Sequence, residues 1–159
     1  MRHLLSVSAS FLFSCLFAAC KDGTPGVLLK DQLYPTMIGP RPTDTIPAGS
    51  MIKYLGEIEL DSTLMKVRFD VGEGYVGVSE VVLNARPGRI LKETESFESD
   101  SASGATGLLP EGTIVAVDTS SQSRSHVYFM GSDDEQHDAW VSSAAIEYDL
   151  ARNLKDRHQ

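Results

Sequence analysis

Cysteine is nearly absent from this chain: 159 residues hold two, Cys15 and Cys20, both at the start. A disulfide framework is therefore excluded, and the body must be held by its core. No apolar run reaches the roughly 20 residues that a membrane-spanning helix needs; the stretch from Leu4 to Phe17 is too short. Bases are scarce as well, with 14 Lys and Arg against 22 Asp and Glu, for a net charge of -8. The imbalance is uneven. Residues 27–83 carry 8 acids and 5 bases, net -3, whereas residues 89–148 carry 11 acids and 3 bases, net -8. Phosphate backbones demand clustered Lys and Arg, so no nucleic acid is expected as a partner. Polyanionic wall polymers are disfavoured by the same argument, less strongly. Catalytic signatures are missing too. No Gly-x-Ser-x-Gly elbow exists, and beyond the first residues the histidines are His126, His137 and His158. The expectation is a chain that is no enzyme, with no catalytic residues and no cofactor.

What is present begins with an export signal. A short basic start, Arg2 and His3, precedes the apolar stretch, and small residues stand just before Cys20. Phe17-Ala18-Ala19-Cys20 resembles the lipobox of bacterial lipoproteins, with Phe17 in place of the usual leucine. The resemblance implies cleavage before Cys20, diacylation of its thiol and usually acylation of the new amino terminus, with palmitate among the acyl groups. Leu12-Phe13-Ser14-Cys15 has the leucine but puts bulky Phe13 where a small residue belongs, and an ordinary secretory signal is the other alternative. The expected location is the bacterial cell envelope, at the periplasmic face or the cell surface, with the membrane as a partner through the lipid. Residues 1–19 are then signal and 20–26 a tether, whose six residues after the cysteine reach about 20 Å at 3.5 Å each. The first half of the body would sit nearer the membrane and the more acidic second half farther out.

The body repeats. Pro47-Ala48-Gly49-Ser50-Met51-Ile52-Lys53-Tyr54 aligns with Pro110-Glu111-Gly112-Thr113-Ile114-Val115-Ala116-Val117, a Pro-x-Gly turn feeding a strand. Lys66-Val67-Arg68-Phe69 aligns with His126-Val127-Tyr128-Phe129, whose alternation sends Val and Phe to one face. Gly74-Tyr75-Val76 through Val81 aligns with Ala139-Trp140-Val141 through Ile146. Units of about 60 residues made of short strands between turn signals suggest small, partly open barrels. These segments resemble bacterial SH3-like (SH3b) domains, with their "G-x-x-V-x-V" strand and closing "G-W-V" segment. Tyr75 replaces the usual tryptophan, Ala139 the usual glycine, and the family's "L-N-V-R" opening is missing from both copies. The expected fold is all-β, two tandem SH3-like barrels at 27–83 and 89–148. A linker at 84–88 turns at Pro87-Gly88, short enough that the units should touch. Residues 149–159 form a short helix, from the i, i+4 spacing of Leu150 and Leu154, or a frayed tail.

Two groups of residues invite a function. The run Asp133-Asp134-Glu135-Gln136-His137-Asp138 is rich in the oxygen ligands that hard cations take, but it lacks EF-hand spacing, so a solvated loop tip and no metal are expected. The aromatics lead further, since SH3-type barrels bind ligands in grooves lined by Tyr and Trp. Tyr34, Tyr128 and Trp140 are the candidate ligand-binding residues, with packing as the alternative role for each. The resemblance implies a membrane-anchored module that binds a protein or a cell-wall peptide or glycan. NlpC/P60 wall hydrolases often carry such domains, but with their own Cys and His. The alternative is a structural, assembly or host-facing lipoprotein.

Overall fold

The computed structural model describes residues 23–33, 45–58, 63–70, 72–148 and 150. The expected signal at 1–19, the lipidation candidate Cys20, Tyr34 with its proline-rich loop, and the tail apart from Leu150 lie outside these. The described chain is small and all-β, built on two main antiparallel sheets. Its strands run β1 (Thr24–Leu28), β2 (Gln32–Leu33), β3 (Thr45–Ile46), β4 (Met51–Ile58), β5 (Leu64–Phe69), β6 (Gly72–Gly77) and β7 (Val81–Leu83). They continue as β8 (Arg86–Ile90), β9 (Thr94–Phe97), β10 (Gly107–Leu109), β11 (Ile114–Ser120), β12 (Arg124–Met130), β13 (Gln136–Ser142) and β14 (Ile146–Glu147). Single 3-10 turns, Val78–Glu80 and Ser143–Ala145, precede β7 and β14.

The first sheet has the order β6-β5-β4-β1-β7, and the second repeats it as β13-β12-β11-β8-β14. Register agrees as well as order. Tyr54 faces Val67, which faces Gly74; in the second sheet Val117 faces Val127, which faces Ala139. The cores are built from equivalent positions, with Leu28, Ile52, Val67 and Val76 in one and Ile90, Val115, Val127 and Val141 in the other. The Pro-x-Gly turns explain part of this agreement. Gly49 and Gly112 have φ of 86° and 83°, backbone that favours glycine. Ser50 and Thr113 donate their hydroxyls back to Pro47 and Pro110 at 2.6 and 2.8 Å. Each turn is also tied to the opening strand, Gly49 N–H to the Leu28 carbonyl at 2.7 Å and Gly112 N–H to that of Ile90 at 2.8 Å.

Two expectations need correction. The chain does not turn at Pro87-Gly88: both lie within β8, and the turn falls at Asn84, with φ of 58°. Ile90 donates to Thr113 on the β11 side and Leu91 to Ala145 on the β14 side. By alternation the Pro87 nitrogen faces the β14 side, beyond Glu147 where that strand's pairing stops, so its missing N–H breaks no ladder. The segment expected as a tether, 20–26, is also partly sheet. Thr24, Pro25 and Gly26 pair with Tyr54, Lys53 and Ile52 in the sheet, which leaves Lys21, Asp22 and Gly23 between Cys20 and β1. Between β8 and β11 the second half also holds two further strands. β9 pairs with the far edge of β13 and with β10, widening that sheet, whereas β2 and β3 pair only with each other.

The two sheets meet in a third cluster. Val27, Leu29 and Val82 point away from the first core and, with Ala85, pack on Ala116, with Tyr128 and Met130 alongside. The Lys30 ammonium bonds Asp134 at 3.0 Å across this seam. That contact sets the tip of the β12–β13 hairpin against the end of β1, so these two positions are not separated along the molecule.

Replacing either turn glycine by alanine forces an L-residue into left-handed backbone, at a cost of about 1–2 kcal/mol. Gly49→Ala should lose more in urea titration than Gly112→Ala. Its new Cβ would come within 3.1 Å of Leu150 Cδ1, whereas nothing lies within 4 Å at Gly112. Equal losses would mean that Leu150 does not press on this turn.

Candidate functional site

The outer face of the second sheet gathers side chains that neither core uses. On β12 the alternation buries Ser125 and Val127 and turns Arg124, His126 and Tyr128 to the other side. Across the β12–β13 ladder His126 pairs with Trp140 and Tyr128 with Asp138, and Trp140 pairs in turn with Phe97 of β9. Directly opposed residues share a face. The His126 ring lies 4.9 Å from that of Tyr128, edge-on, and 5.2 Å from the indole of Trp140. Farther along, the Arg124 guanidinium stacks over Phe97 with its carbon 3.6 Å from the ring centroid.

Carboxylates hold the centre of this row. Register slips between Val117 and Thr119, and Asp118 at that irregularity reaches His126 Nδ1 at 3.0 Å while Asp138 reaches Nε2 at 2.9 Å. Each contact is a hydrogen bond from whichever nitrogen carries a proton, and both are when the ring is protonated. The imidazole is only 16% exposed. Its orientation is thereby fixed, and it braces Trp140 and Tyr128 on either side.

Of the residues expected from sequence, Tyr128 and Trp140 thus fall on one face with His126 between them, while Tyr34 lies outside the described residues. Both aromatics are half-buried. Tyr128 also packs into the inter-sheet seam, so binding and packing are not exclusive roles there. His126, Asp118, Arg124 and Phe97 were not singled out as ligand-binding residues. The alignment of His126 with Lys66 was the available signal, because a repeat position that changes chemistry marks where two copies differ. Indeed the first repeat fills the equivalent positions with Lys66, Arg68, Glu73 and Tyr75. There Glu73 takes an ion pair from Arg68 at 2.7 Å and one from Lys66 at 3.9 Å.

The acidic run does not converge. Asp133 bonds the His137 ring at 3.0 Å, Asp134 bonds Lys30, and Asp138 turns to His126. His137 holds the Asp133 carboxyl below its ordinary range, helped by the Glu135 N–H. Among the described residues no group of three or more His, Cys, Asp or Glu could hold a metal ion. Ser125 is fully buried with its hydroxyl among those of Ser120, Ser143 and Tyr148, on the opposite side of β12 from His126.

No family model matches the chain, and no curated protein matches it. Among solved structures it is similar to NlpC2 from Trichomonas vaginalis, at 13% identity and a TM-score of 0.35, over 79% of this chain and 48% of that one. It is similar also to NlpC1 from the same organism, at 15% identity and a TM-score of 0.32, over 93% of this chain and 50% of that one. The chain thus spans about half the length of these structures. The expectation that the chain is no enzyme is withdrawn beside these structures, which bear the NlpC name. It had rested on missing local motifs, and sites assembled from distant residues leave none.

Burial, then the negative charges of Asp118 and Asp138, push the Tyr128 phenol above its ordinary range, because each disfavours the phenolate. With the folded pKa above the unfolded one, the folded state holds this proton more tightly. The resulting stability is full below the unfolded value of about 10 and is lost as pH rises through the folded value. Asp118→Asn should bring Tyr128 ionisation back toward the ordinary range. The readout is phenolate absorbance, taken as the difference from a Tyr128→Phe chain. An unchanged titration would show that Tyr128 does not feel the Asp118 charge.

Proposed function

We propose that this protein is a membrane-anchored binding lipoprotein of the bacterial cell envelope. In this reading it is acylated at Cys20 and exported, its two sheets are tandem SH3-like (SH3b) barrels, and the second holds a protein or a cell-wall peptide or glycan. The observation that supports it is the contrast between equivalent faces. Where the first repeat closes its face with the Arg68–Glu73 pair, the second presents Tyr128, Trp140 and Phe97 around a clamped His126. Rigid aromatic surface with few freely rotating bonds is what binding sites favour. The acidity of the second half would steer a basic protein surface toward this face.

The equivalent positions supply an internal control. Trp140→Ala should reduce retention on purified sacculi or on immobilised envelope extract by about tenfold, corresponding to about 1.4 kcal/mol, while Tyr75→Ala leaves it unchanged. Urea midpoints for both variants separate binding from folding. Equal retention of both variants and the parent would sink the reading of this face. Whichever support retains the protein identifies the ligand class, and retention on sacculi through moderate salt would remove the charge-steering argument. The anchor is tested separately by the mass of the amino-terminal peptide from membranes. An acylated Cys20 is expected, and an unmodified one would refute the tether.

A further inference from the structure

One groove lies at the end of the aromatic row away from the seam. It is an open groove of about 440 Å³ between the 91–92 bend, β9 and the start of β12, lined by Lys92, Glu93, Glu95, Phe97, Arg124 and Ser142 among others. Arg124 is held there in an unusual way. Its Nη1 donates to the carbonyls of Ser99, Asp100 and Ala102 at 3.0, 2.7 and 2.8 Å, and its plane rests on Phe97. Nε and Nη2 have no partner among the described residues. A guanidinium locked by one edge presents its other donors in a fixed fork, the geometry that matches a carboxylate.

The charges around it narrow the ligand. Of the 3 bases in residues 89–148, Lys92 and Arg124 both line this groove, against 11 acids in the same segment. Two of those acids, Glu93 and Glu95, line it as well, and among the described residues neither they nor Lys92 makes a side-chain hydrogen bond or ion pair. A bare anion would be repelled by the net charge of this half. A group carrying both signs would not. Register places Arg124 opposite Ser142, and Val141 opposite Ser96 puts Glu95 next to Ser142 on the following strand. Two strand spacings of about 4.8 Å set the Arg124 and Glu95 backbones roughly 10 Å apart. With side chains reaching inward, that span suits the two ends of a dipeptide, about 7 Å when extended.

We propose that this groove binds a short zwitterionic peptide or peptide end, its carboxylate on the free edge of Arg124 beside Lys92 and its ammonium at Glu95 and Glu93. The proposal rests on the reading that this face of the second repeat takes a ligand, and it names the chemistry taken at one end of the face.

The probe is glycylglycine, titrated into the isotope-labelled full chain and followed by amide chemical shifts, beside glycylglycine amide and N-acetylglycylglycine. Shifts should concentrate at Phe97, Arg124 and Ser142, and blocking either end should weaken binding by about tenfold or more, the loss expected for a charge-assisted contact. Lys92→Ala should weaken glycylglycine, and Glu95→Gln should remove the preference for a free amine over the acetylated form. Shifts absent from these residues, scattered over the surface, or equal for free and blocked peptides would overturn the proposal. The groove and the wider reading fail separately. Glycylglycine binding without an effect of Trp140→Ala on envelope retention keeps the groove and removes the reading of the whole face, and the reverse result removes the groove alone.

Discussion

Burial of Val27, Leu29, Val82, Ala85 and Ala116 between the sheets is the packing on which the remaining architecture depends. Each repeat is a sheet of about 60 residues with no disulfide, a size at which one core is marginal. Fully burying a valine or leucine side chain contributes roughly 1.5–3 kcal/mol, and a whole domain is stable by only about 5–15 kcal/mol. A few such residues in the seam therefore weigh as much as the net stability of either repeat alone. The seam also explains why Val27 and Leu28, neighbours in one strand, are both fully buried. Alternation sends one to the first core and the other to the partner sheet.

The same alternation produces the candidate site. On β12, the residues pointing away from the second core are Arg124, His126, Tyr128 and Met130. The seam covers only the last two. Those nearer the groove lack a partner sheet and must be stabilised by other means. His126 takes two carboxylates, and Arg124 takes a ring and three carbonyls. The repeat thus presents two equivalent faces, one closed by a pair of ion contacts and the other an aromatic surface with polar clamps.

How much of this could be read beforehand follows from how local the determinants are. The repeat was legible because Pro-x-Gly turns and Val-x-Phe alternation are written in adjacent residues, and the alignment of Val67 with Val127 and of Gly74 with Ala139 agrees with the strand register. Trp140 and Tyr128 could be named as aromatics, but their meeting across His126 depends on β12–β13 register. The bends at Asn84 and Asp118 were not legible. A left-handed asparagine and a slipped register depend on what each neighbouring strand offers, and Pro87-Gly88 looked like a turn because nothing local reveals that β14 stops short of Pro87. Arg124 is the furthest from legible. Its partners at Ser99, Asp100 and Ala102 come from a loop some 22 to 25 residues earlier, and its sequence neighbours are unremarkable serines.

Arg124 also shows why a structural residue and a recognition residue need not be different ones. Lysine in its place could offer a point charge to a ligand, or donors to the carbonyls, but it has no plane to rest on Phe97 and no second edge. Guanidinium divides its donors geometrically: Nη1 closes the 99–102 loop while Nε and Nη2 point elsewhere. The more firmly the first edge is held, the less conformational freedom the second loses on meeting a carboxylate. The loop contacts that look purely architectural therefore act on the groove, because they fix in advance the orientation that a ligand would otherwise have to impose.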